Sequence, residues 1–160
     1  MNSEHTQNNV IFIHSSSLIT HHYFMKRRRA REYALQLLFQ IDMTGSELNE
    51  DLIKEFWEGN NEDSEVKEFT YSIVRGTREN LSSIDEIIKN AAEHWSIERM
   101  TAIDRNILRA STYELLYKDD IPPSVAINEA IEISKKYSTE DSASFVNGIL
   151  DKILKSQRTA

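Results

Sequence analysis

The 160-residue chain contains no cysteine. That excludes disulfide scaffolds, thiolate metal sites and cysteine nucleophiles, and it fits a reducing, cytoplasmic compartment. Glycine and proline are nearly as scarce: Gly45, Gly59, Gly76, Gly148, Pro122 and Pro123 are the full set. All-β folds spend these residues on turns, and nucleotide-binding loops spend glycine on close backbone approach. Neither GxGxxG nor GxxxxGK[ST] occurs, so Rossmann and P-loop readings fail. No apolar run approaches the roughly 20 residues that a membrane span needs. Beyond residue 24 the only histidine is His94. With no HExxH spacing and no Ser/His/Asp order, an enzyme is not expected.

What remains is enough chain for one domain. Hydrophobic residues make up 39%, too many for a wholly disordered chain, and 19 Lys+Arg against 26 Asp+Glu give a net charge of −7. Residues 1–24 differ in texture. They carry His5, His14, His21 and His22, no lysine or arginine, and one short apolar run, Val10-Ile11-Phe12-Ile13. A secretory signal would need a basic start and a longer apolar stretch. We read 1–24 as a poorly ordered, dispensable N-terminal extension and 25–157 as the folded domain. No periodic scaffold orients the extension's histidines toward a metal, so neither metal nor cofactor is expected.

From Lys26 the period is helical. Ala30, Tyr33, Ala34, Leu37, Leu38 and Ile41 form a stripe, and Gly45 sits where a helix-ending glycine belongs. A short helix around Leu52–Trp57 stops at Gly59, and a third spans about 64–80. Ser83 with Glu86 reads as a capping box for a fourth helix, and Thr101 with Asp104 as one for a fifth ending near Tyr117. Pro122-Pro123 open a sixth helix to Tyr137, and a seventh covers about 142–155. The expected architecture is all-α, about seven helices. The fifth is apolar nearly all round, as a central helix must be. Glu114 lies within its apolar arc and needs a partner there. Gly148, in the middle of the last helix, costs up to about 1 kcal/mol relative to alanine, which predicts close helix–helix approach.

Two features point to binding. Lys26, Arg27, Arg28, Arg29 and Arg31 crowd a helix N-terminus, which is already positive, so an anionic partner would offset the repulsion. Arginine forks pair bidentately with phosphate. Leu35 and Phe39, one turn apart and off the core stripe, read as an exposed apolar pair suited to a protein interface or a stacking surface. The acidic body would bind nucleic acid weakly alone, so a basic protein partner is expected.

Four stretches, in order and at the right spacing, resemble the NusB family of transcription antitermination factors. They are Arg27-Arg28-Arg29-Ala30-Arg31-Glu32; Trp95-Ser96-Ile97-Glu98-Arg99-Met100 through Ile103-Asp104-Arg105-Asn106-Ile107-Leu108-Arg109; Ile121-Pro122 through Val125-Ala126-Ile127-Asn128-Glu129-Ala130; and Glu140-Asp141-Ser142 with Phe145-Val146-Asn147-Gly148-Ile149-Leu150. The likeness covers about 25–155. It implies an all-helical fold of two subdomains and binding to boxA RNA together with NusE, a ribosomal protein, within the RNA polymerase antitermination complex. It implies RNA contacts from Lys26, Arg27, Arg28 and Arg31 and from Asp141 and Phe145. It also places Phe39 and Asp104 toward NusE, and Leu35 is assigned to the same interface from its spacing with Phe39. A NusB-like domain also precedes some RNA cytosine methyltransferases, but these residues leave no room for their cofactor-binding domain. A homodimeric structural module is the alternative of a different class.

Overall fold

The computed structural model describes the backbone of residues 5–158 and the side chains of 17–157, His94 apart in both. His5 and His14 lie outside the described side chains. Seven helices follow one another: α1 (His5–Thr44), α2 (Glu50–Glu58), α3 (Ser64–Glu79), α4 (Leu81–Ala92), α5 (Ala102–Tyr117), α6 (Pro123–Tyr137) and α7 (Glu140–Arg158), with a single 3-10 turn, Ile97–Arg99, before α5. No strand occurs among the described residues.

Most boundaries have the chemistry expected of them. Gly45 closes α1 at φ +68°, its N–H donating to the Ile41 carbonyl at 2.9 Å. Asn49 caps α2 and Thr101 caps α5, each side-chain oxygen accepting from the backbone N–H three residues on. Pro123 occupies the first turn of α6. The Ser83–Glu86 box is corrected. The chain passes from α3 to α4 through Asn80 alone, whose side-chain amide donates to the Gly76 carbonyl at 2.8 Å, so α4 starts at Leu81 and Ser83 already lies inside it. Nothing between residues 17 and 25 breaks a helix, and α1 runs through Met25 without interruption. Leu18, Ile19, Phe24 and Met25 on that part are exposed.

Two apolar clusters make the core. One joins Ala30, Ala34, Leu37, Leu38 and Ile41 of α1 to Val66, Phe69, Ile73 and Val74 of α3. The other joins Ile84 and Ile88 of α4, Ile107 and Leu108 of α5, Ala130 and Ile133 of α6, and Val146, Ile149, Leu150 and Ile153 of α7. Leu115 of α5 packs against both, so the helix that reads as apolar all round is the one the two halves share. The expectation for Gly148 is overturned. A Cβ there would meet nothing within 4 Å, because the residue faces outward. The close approach falls at Gly76 of α3, where a Cβ would overlap the Tyr113 ring of α5.

Candidate nucleic-acid interface

The basic run Lys26–Arg31 lies inside α1, well past its start at His5, so the expectation of cations crowding a helix N-terminus is corrected. The run is largely neutralised from within. Lys26 pairs with Asp63 at 2.9 Å and Glu65 at 3.4 Å, Arg29 with Glu62 at 3.1 Å, and Arg28 bidentately with Glu129 of α6 at 2.7 and 2.8 Å. Hydrogen bonding to Glu129 raises the Arg28 pKa against the opposing pull of burial. Arg31 is buried, and its Nε and Nη2 donate to the Glu114 carboxylate at 2.8–3.0 Å. This pair answers the need of Glu114 for a cation. It also corrects the reading of Arg31 as a solvent-facing phosphate contact, since the side chain is 8% exposed and paired with a buried carboxylate.

Arg27 differs from its neighbours. Among the described residues no carboxylate pairs with it. Its guanidinium lies 3.9 Å over the Phe69 ring centroid and 5.0 Å from that of Tyr23, and its Nε has no acceptor. Rings attract a cation through their quadrupole but leave its N–H donors free. Arg27 is thus held in place by rings, with a buried Nε that no acceptor meets.

A second feature forms where the 3-10 turn, the start of α5 and the start of α7 converge. Here a cleft of about 310 Å³ is lined by Trp95, Arg99, Thr101, Asp104, Asp141 and Phe145, among others. Trp95, 53% exposed, meets Phe145 edge-to-face at 6.2 Å between centroids. Asp104 is buried. One carboxylate oxygen accepts from Ser142 Oγ at 3.0 Å, and the other has no partner. The structure therefore brings Asp104 together with Asp141 and Phe145. Trp95 and Arg99 had no assigned role in the sequence. They sit in an aperiodic stretch, where exposure cannot be read from spacing.

Leu35 is corrected. It is 5% exposed and packs into the α4–α7 cluster, so it forms no exposed pair with Phe39. Phe39, one turn on, is 36% exposed. Ile107 of α5 and Ala130 and Ile133 of α6 gather around Leu35, and a wheel of α1 alone cannot show that.

A family model described as the NusB family matches residues 28–155. The chain belongs to the NusB family. It is 49% identical over 142 residues to the transcription antitermination protein NusB of Thermodesulfovibrio yellowstonii, covering 83% of this chain and 94% of that one. The solved structure of NusB from T. maritima is 46% identical, with a TM-score of 0.72 over 81% of this chain and 90% of that one. A structure of the antitermination factors NusB and NusE in complex with double-stranded RNA matches at 30% identity and a TM-score of 0.74, covering 82% and 98%. The NusB match spans both helical halves, and it begins just after Arg27. Among the described residues no helix is long and apolar enough to cross a membrane.

Proposed function

We propose that the chain is a transcription antitermination factor that binds boxA RNA together with NusE and joins the RNA polymerase complex, notably in ribosomal RNA transcription. It works in the cytoplasm by binding, not by catalysis. The observation that carries this reading is the likeness, across both halves, to a NusB chain solved with NusE and RNA.

Within it, Arg27 and the exposed side of Arg28 meet phosphate. Lys26 adds its charge by exchanging Asp63 and Glu65, which are both well exposed. Phe145 supplies a ring beside Trp95, Arg99 a cation at the rim, and Asp141 an acceptor for base amino groups. Phe39 is the apolar contact for the protein partner, and Asp104, in the cleft lining, is the second residue on that side. A net charge of −7 accounts for the need of a partner. The test is a titration of a boxA-containing RNA with the full chain, alone and with NusE. Weak binding alone and much tighter binding with NusE is expected. No binding in either condition would overturn the reading.

A further inference from the structure

Beside the basic run of α1 lies a cavity of about 220 Å³. Ile121, Pro122 and Val125, at the entry to α6, form its apolar floor, and Tyr23, Phe24 and Arg27 of α1 form its wall. Asp120 stands at the rim, 3.9 Å from Lys118. Tyr23 and Phe24 are 44% and 51% exposed, with rings edge-to-face at 6.2 Å. Two exposed aromatics next to each other on a helix have no reason in the core. Tyr23 and Phe24 precede the family match at 28–155, as does Arg27.

Three observations narrow the occupant. First, Arg27 is the member of the basic run without an internal carboxylate among the described residues, and its Nε lacks an acceptor. An apolar peptide in this cavity would leave that charge unanswered, whereas a strand with phosphates answers it. Second, Phe69 holds the guanidinium at 3.9 Å, so its planar fork is preorganised. Third, the cavity is continuous with the arginine run already assigned to phosphate. Rings beside a fixed cation are how single-stranded nucleic acid is held without reading its sequence: bases stack and phosphates pair.

We propose that Tyr23, Phe24 and Arg27, over the Ile121–Pro122 floor, form a stacking pocket for one unpaired base of single-stranded RNA, with the adjoining phosphate on Arg27. The last turn of the N-terminal extension thereby belongs to the RNA-binding surface. Asp120 offers an acceptor to a base amino group. This rests on the RNA-binding reading above and extends it to residues outside the family match.

The experiment measures binding of a single-stranded boxA RNA to the full chain at several salt concentrations, with melting recorded for every variant. Y23A/F24A should lose on the order of tenfold or more in affinity, as for a lost stack, with an unchanged salt slope and an unchanged melting midpoint. R27A should lose affinity and flatten the slope by about 0.7, one phosphate contact. L18A/I19A, exposed further back on α1, should bind as the wild type. Wild-type affinity in Y23A/F24A while R27A weakens would sink the pocket and leave the RNA-binding reading standing. Absence of binding by the wild type itself would instead remove that reading. Equal losses in L18A/I19A and Y23A/F24A, or a loss confined to NusE binding, would also overturn the pocket.

Discussion

Arg31 and Arg27 stand one turn apart in the same basic run and have opposite fates. Arg31 meets a buried carboxylate, and removing one partner of such a pair strands the other charge in the interior. Arg31→Ala should therefore cost about 3–5 kcal/mol in denaturant unfolding, while Arg31→Met with Glu114→Met should recover much of that loss. Asp42, near the end of α1, makes a related bridge. It accepts from Arg105 at 2.7 Å, Asn106 at 2.9 Å and Arg109 at 3.2 Å, and Arg109 also holds Asp85 of α4 at 2.7 Å. Burial pushes the Asp42 carboxyl up, but the hydrogen bonds from Arg105 and Asn106 and the charges of Arg109 and Arg105 outweigh it, and its pKa is lowered. A carboxyl with a lowered folded pKa stabilises the fold fully above its unfolded value of about 4 and loses that contribution as pH falls toward the folded value. Stability measured against pH should show this acid limb, and Asp42→Asn should flatten it while costing about 2 kcal/mol at neutral pH.

At the scale of helices, two glycines exchange the roles that sequence suggests for them. Gly148 lies in α7 with open space at its Cβ position, so Gly148→Ala should raise stability by up to about 1 kcal/mol through helix propensity alone. Gly76 lets α3 approach α5 at the Tyr113 ring, so Gly76→Ala should overpack that contact and cost about 1–3 kcal/mol. Melting of the two variants side by side separates the cases, and a loss at Gly148 would show that α7 is covered there. The apolar residues of the two glycine-bearing segments look alike in the sequence. What distinguishes them is the neighbouring helix, and that neighbour is 37 positions away for Gly76.

For the whole molecule, α1 has two parts. From Ala30 to Ile41 it carries one half of the core, while residues 17–25 stand clear of it with exposed side chains. We propose that a chain beginning at Met25 melts within a few degrees of the full chain, since little apolar area is lost. It should bind RNA as weakly as Y23A/F24A, because Tyr23 and Phe24 leave with the extension. Unimpaired RNA binding by the shortened chain would restore the view that all of 1–24 is dispensable; a large drop in melting would make the extension part of the fold.

The sequence by itself determined the helical class, the order of seven helices, the approximate limits of all but the first, which starts at His5 and not at Lys26, and the central place of α5. These follow from local periodicity and caps, which act over a few residues. It also carried the family, through motifs whose spacing survives without coordinates. Tertiary structure alone decided which arginine of the run is left without a carboxylate among the described residues. Lys26, Arg28, Arg29 and Arg31 are each met by a carboxylate 33 or more positions away in the chain, and Arg27 by two rings, one of them Phe69 of α3. It likewise buried Leu35, opened the face of Gly148, and gathered Trp95, Arg99 and Phe145 around one cleft. The physical reason is common to all of these. A charge or an apolar side chain takes its role from what lies opposite, and in a helical bundle what lies opposite comes from another helix, beyond the reach of any periodicity along one.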